Sequence, residues 1–235
     1  MKLRSITTAA AVLGVAGLAA ADTVDLRYTG PGAGASFNIT AGSVTNDLFA
    51  GQLNFLTSNG TGAGTSLEGT LQSFCIDVFE PLAAFSEGPQ TYDLNDLSAA
   101  PVTGVGGSAM GGAKADAIAR MYAFANGQQF GSSNDYAAAF QLAVWEVIAD
   151  FDASLDIAGG DFRVNDALSV GVTDILDDLF TAAGDTGIGG ARVAALTNSG
   201  LQDQIYEVVI PLPGAAGLAA VGLAGVGLIG RRRKS

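Results

Sequence analysis

Histidine is absent from the 235 residues, cysteine and tryptophan occur once each, and 11 basic residues face 23 acidic ones. Each shortage excludes a chemistry. Without histidine there is no Ser-His-Asp or Cys-His nucleophile, and most zinc sites lose their usual nitrogen ligand. One cysteine, Cys75, allows no disulfide within the chain. A formal charge of −12 repels nucleic acid and anionic lipid, so no nucleic-acid partner is expected. Charge is also missing from two stretches, Ile6–Leu18 and Gly214–Gly230, and these mark ends unlike the middle.

The N-terminal end has Lys2 and Arg4, the apolar stretch Ile6–Leu18, small residues Ala19–Ala21 and then Asp22. That order is the pattern of a secretory signal peptide over residues 1–21, and it implies an exported protein. At the other end Ile210-Pro211-Leu212-Pro213 leads into Gly214–Gly230, and Arg231-Arg232-Arg233-Lys234 follows. A helix over 214–230 rises about 25 Å, enough for a thin hydrocarbon core. The basic cluster at 231–234 is expected to stay cytoplasmic and leave the main domain outside. Residues 209–234 resemble the PEP-CTERM sorting signals of Gram-negative bacteria in their Pro-Leu-Pro variant, with Leu212 in place of the usual central Glu. The resemblance implies recognition by an exosortase-type protease, an inner-membrane intermediate held by the tail, and delivery to the cell surface or extracellular matrix.

Six of the 11 basic residues and none of the 23 acidic ones lie in these ends. Residues 22–209 therefore carry 5 basic against 23 acidic residues, a net charge of −18. That length suits one domain. Alternation over Thr23–Tyr28 predicts a strand. The glycines at 30–34 predict a turn, with a second strand around Phe37–Thr40 and a third over Asp47–Leu56. Leu71–Phe79 predicts a strand with Cys75 at its centre. Helical spacing follows over Ala113–Asn126, over Tyr136–Phe151 with Asn134 as N-cap, and over Val172–Ala182. Arg192–Leu196 is read as a further helix and Gln202–Val209 as a closing strand. The class is α+β: an antiparallel sheet or barrel with an inserted helical subdomain, flanked by the two apolar ends.

On a helical wheel of residues 136–151, Tyr136, Phe140, Val144, Val147 and Ile148 share one half with Gln141 and Trp145, while Glu146 and Asp150 lie opposite. A carboxamide among apolar residues must find partners or cost about 1–3 kcal/mol. A hydrogen bond to loop backbone would satisfy it. Phe74-Cys75-Ile76-Asp77 and Phe140-Gln141-Leu142-Ala143-Val144-Trp145 also resemble the two signatures of bacterial Cys–Gln thioester domains: an aromatic residue before Cys, then a hydrophobic residue before Gln with Trp four positions on. The two motifs cover about ten residues, in the family's order. The resemblance implies a thioester between Cys75 and Gln141, shielded from water by Phe74, Phe140 and Trp145, and used once to capture an amine-bearing surface protein or polysaccharide. This is adhesion without turnover, so no enzyme and no cofactor are expected. Asp77, on the same strand face as Cys75, should raise the thiol pKa, and forming the bond needs N–H donors near the Gln141 carbonyl. The alternative is a non-covalent matrix or biofilm protein with an inert Cys75.

Asp150, Asp152, Ser154, Asp156 and Asp161 fall at calcium-loop spacing. Leu155 stands where such a loop needs glycine, and Asp161 is shorter than the usual bidentate Glu, so a solvated loop is the expectation. No phosphate-binding loop is present at Gly104–Gly112.

Overall fold

The structure, a computed structural model, describes residues 21–78, 80–102, 108–125, 130–151 and 155–208. The expected leader, except for Ala21, and the Pro211–Lys234 sorting signal lie outside these residues. Among the described residues no helix is long and apolar enough to cross a membrane.

The architecture is α+β, as expected. Among the described residues nine strands run in chain order: β1 Thr23–Ala41, β2 Val44–Ser58, β3 Gly69–Cys75, β4 Gln90–Asp96, β5 Pro101–Val102, β6 Ser108–Ala109, β7 Phe162–Val164, β8 Val193–Asn198 and β9 Leu201–Glu207. Among the same residues three α-helices intervene: α1 Gly112–Ala125, α2 Asn134–Ala149 and α3 Val170–Gly184. The main sheet is antiparallel with order β2-β3-β9-β8-β4-β1-β7, and β1 also pairs with β2. That extra pairing closes six strands into a ring and leaves no free edge among them.

The Gly30–Gly34 segment is not a turn. β1 runs straight through it with register shifts between Tyr28 and Gly30 and between Pro31 and Gly34. Gly34 faces Gly51 at φ +152° and +157°, and a Cβ on Gly34 would stand 2.4 Å from the Ala50 carbonyl oxygen. The glycines therefore allow two strands to approach through a bulge, where the sequence alone suggested a reversal. Val193–Asn198 is a strand, not a helix, because β4 and β9 pair with it on either side. Such pairing overrides a local preference for helix.

Helix α2 is the core of the molecule. It packs on β1, β2, α1 and α3, and every residue from Ala137 to Ala149 is buried. Its N-cap is Ser133, whose Oγ accepts from Tyr136 N at 3.2 Å. Asn134, expected to cap, accepts instead from Gly34 N at 3.2 Å. The expected polar side is also absent: Glu146 is 1 % exposed, and its Oε1 accepts from Asp156 N at 3.1 Å. A helix wrapped on all sides by strands and helices has no solvent face, so the wheel is no guide to its burial.

Candidate functional site

Strand β3 ends at Cys75, two residues after its ladder with β2 stops at the Leu53–Ser73 pair. In antiparallel pairing successive residues present their N–H and C=O to opposite neighbours. Ile76 N donates to Asp203 O on β9, so the backbone groups of Cys75 point the other way, toward the slot β2 has vacated. Gln141 fills that slot. Cys75 N donates to Gln141 Oε1 at 2.9 Å, and Gln141 Nε2 donates to Cys75 O at 2.9 Å. The carboxamide thus replaces a strand edge, and both residues are buried, Gln141 with no exposed surface. The sequence-predicted pair comes together, though Cys75 sits at the end of its strand and not at its centre.

This geometry has a chemical consequence. The carbonyl that the Cys75 thiol would attack already accepts from the N–H of the same residue. As the carbonyl becomes tetrahedral, its oxygen gains negative charge beside that fixed donor, which is the arrangement of an oxyanion hole. The leaving nitrogen, Nε2, is held by the Cys75 carbonyl. The sulfur is free of both contacts and donates to Asp77 O at 2.7 Å.

The surroundings oppose ionisation of the thiol. Burial pushes the Cys75 thiol well above its ordinary value, and the charges of Asp77, Asp203 and Glu80 push it further. Among the described residues the indole of Trp145 acts in the other direction. Asp77 Oδ2 accepts from Asp203 N at 2.8 Å, and Asp203 Oδ1 accepts from Asn198 N at 2.7 Å. Burial raises Asp203 to about 8, partly offset by the Asn198 amide.

The aromatics divide between two sides of Cys75. Phe74 points away from the sulfur and packs with Phe140 and Phe130 at centroid separations of 4.7 and 4.8 Å, while Tyr122 closes the cluster at 5.6 Å from Phe140. Edge-to-face pairs of this kind add about 0.5–1.5 kcal/mol each beyond their area. Trp145 stands on the other side, where it lines a cavity of about 600 Å³ with Cys75, Val78, Leu53 and Phe49. The cavity extends to Val44, which is 43 % exposed near the tip of the β1–β2 hairpin. Cys75 is the one thiol in its lining.

Asp150 Oδ2 accepts from Asp161 N at 2.7 Å, and Asp156 Oδ1 from Ala158 N and Gly159 N at 2.9 and 3.1 Å. These carboxylates order the loop's backbone. Asp152 lies outside the described residues, among which no three His, Cys, Asp or Glu side chains gather to hold a metal.

Sequence reasoning missed another fully buried glutamine, Gln204, which accepts from Ser73 Oγ at 2.8 Å. It also missed Asp203 and the cavity. Alternation in β9 marks Gln202 and Gln204 as sharing a face, but nothing local shows that this face meets β3.

No family model and no curated protein matches the chain in sequence. Two solved structures match the chain. One is the N-terminal thioester domain of a surface protein from Clostridium perfringens: 14 % identity, 67 % of this chain and 88 % of that one covered, TM-score 0.40. The other is the N-terminal thioester domain of the fibronectin-binding protein SfbI from Streptococcus pyogenes: 15 % identity, 78 % of this chain and 100 % of that one, TM-score 0.40. The reading of the site stands on the Cys75–Gln141 geometry and not on this likeness.

Proposed function

We propose that the chain is an exported surface protein whose Cys75 and Gln141 form an internal thioester for single-use covalent attachment to an amine-bearing partner. The observation that carries the reading is the reciprocal hydrogen-bond pair between the Cys75 backbone and the Gln141 carboxamide. In the forming step the Cys75 sulfur bonds to Gln141 Cδ, the Cδ–Nε2 bond breaks, and the thiol proton leaves with the nitrogen as ammonia. In the capture step an amine attacks Cδ, the Cδ–Sγ bond breaks, an amide forms, and a proton from the amine nitrogen restores the Cys75 thiol. The amine enters by the cavity that ends at Cys75 and Trp145, while the aromatic cluster around Phe74 and Phe140 keeps water from the opposite side.

Intact mass tests this directly. The purified protein should fall short of its sequence mass by one ammonia, methylamine should add to it and expose one thiol, and Cys75→Ala should abolish both effects. Full mass with a titratable thiol in untreated protein would leave the non-covalent matrix protein as the reading. Surface delivery through an exosortase-type protease is a separate proposal resting on the Pro-Leu-Pro, apolar and Arg-rich order of residues 211–234. Deleting residues 214–235 should release the protein to periplasm or medium, and unchanged localisation would remove the tail from the account.

A further inference from the structure

The side chain that no step above uses is the indole N–H of Trp145. It is buried in a residue 2 % exposed and has no hydrogen-bond partner among the described residues. An unpartnered buried donor costs about 1–3 kcal/mol, so one beside a reactive atom calls for a reason. Trp145 lines the same cavity as Cys75, and its indole favours the ionised sulfur against the rise that burial imposes on the thiol. The thiol itself donates to the Asp77 carbonyl. Once the proton leaves, the sulfur is only an acceptor, the Asp77 carbonyl becomes a repulsive neighbour, and the indole N–H is the donor at hand.

We propose that Trp145 is the third member of the site: its N–H binds the Cys75 sulfur in the anionic form and so sets how readily the thiol attacks Gln141 and how readily it leaves when an amine arrives. This deepens the thioester reading and rests on it for its consequence. The same donor serves both directions, because sulfur carries negative charge as nucleophile in formation and as leaving group in capture. Around the sulfur, Asp77, Asp203 and Glu80 all oppose the anion, and Tyr92 and the carboxamides of Gln141 and Gln202 bring no positive charge. Among the described residues that bear on the sulfur's charge, Trp145 is the one that favours it.

Trp145 is the chain's only tryptophan, which makes the test clean. Methylamine-treated protein carries a free Cys75 thiol whether or not a thioester formed first. Its rate of alkylation by iodoacetamide, followed by intact mass across pH, gives the thiol midpoint. Trp145→Phe keeps an aromatic ring without the N–H. Biosynthetic replacement of tryptophan by benzothienylalanine keeps the shape as well, and serves if Trp145→Phe does not fold. Both should raise the midpoint by a pH unit or more, slowing alkylation below the midpoint about ten-fold. A midpoint unchanged or lowered in the benzothienylalanine protein overturns the proposal. Full mass before methylamine would sink the thioester reading while leaving this titration to decide the role of Trp145.

Discussion

Gln141 and Gln204 are both fully buried and both lie beside β3, yet they are held in opposite ways. Gln204 Oε1 accepts from the hydroxyl of Ser73, and its Nε2 donates to Gln202 O at 3.0 Å. A hydroxyl that donates to a carbonyl oxygen lies near the plane of the amide, along the lone pairs, and not over the carbon. Ser73 and Gln204 therefore form a satisfied structural pair. At Cys75 the oxygen and nitrogen of the carboxamide are taken by backbone, and the side chain that is a nucleophile stays out of that bonding. Two residues along one strand, a buried glutamine is held by a side-chain hydroxyl in one case and by backbone alone in the other, which leaves the thiol outside the bonding in the second. The difference lies in which atoms hold the amide.

The largest effect should come from removing the two glutamines in turn. Gln141→Ala leaves the N–H and C=O of Cys75 buried without partners, at about 1–3 kcal/mol each, so a loss of about 2–6 kcal/mol is expected against free-thiol wild type. Gln204→Ala leaves a rotatable hydroxyl and a carbonyl that can find other partners, and about 1–3 kcal/mol should be lost. Denaturant midpoints measure both, and equal losses would erase the distinction. Exchanging the nucleophiles sharpens it further. Cys75→Ser should prevent loss of ammonia at a stability cost of about 1 kcal/mol, because an alcohol is a far weaker nucleophile than a thiol. Ser73→Cys should still lose one ammonia and not two, since a thiol there meets the oxygen of Gln204 and not its carbon. Loss of a second ammonia would show that burial beside a glutamine suffices and that the in-plane geometry is irrelevant.

The two pairs also differ in what local sequence reveals. Cys75 and Gln141 are legible because each is an anomaly in its own segment: a lone thiol, and a carboxamide within an apolar stripe. That they meet through the Cys75 backbone is not legible, because it depends on where the β2–β3 ladder stops, and the close Gly34–Gly51 approach belongs to the β1–β2 pair. The same non-locality explains β8, whose strand pairing comes from β4 and β9. It also explains Glu146, which a wheel sends to solvent and the surrounding fold encloses. Helices α1, α2 and α3 were readable to within about two residues at most ends, since their spacing and breaks are local signals.

Asp203, the residue before Gln204, separates the pairs by pH. Its carboxyl is raised to about 8, and its charge bears on Cys75. A carboxyl near 4 when unfolded and near 8 when folded keeps its proton longer in the folded state. Stability therefore falls as pH rises through that window, and is greatest at its acid end. Cys75 has no part in the slope, because its raised pKa acts only above the ordinary thiol value. Asp203→Asn should flatten the fall in thermal midpoint between pH 5 and pH 8, and an equal slope in the variant would remove Asp203 as its cause.

The smallest effect is expected at Lys114, and it bears on whether a second copy of the chain could serve as the amine in the proposed capture. Lys114 is the only lysine between residues 22 and 209, since Lys2 and Lys234 lie in the two ends. Its Nζ donates to Ile148 O, one of the last carbonyls of α2, which have no partner within the helix. A second copy thus meets one side-chain amine in this span, already engaged, on a surface whose net charge of −18 repels its own. Concentrated protein should form no covalent dimer. Lys114→Ala should leave that result unchanged while costing about 0.5–1.5 kcal/mol for the lost hydrogen bond. An amide between Gln141 of one copy and Lys114 of another, found by peptide mapping, would make the acceptor a second copy of the chain and turn an attachment domain into a self-polymerising one.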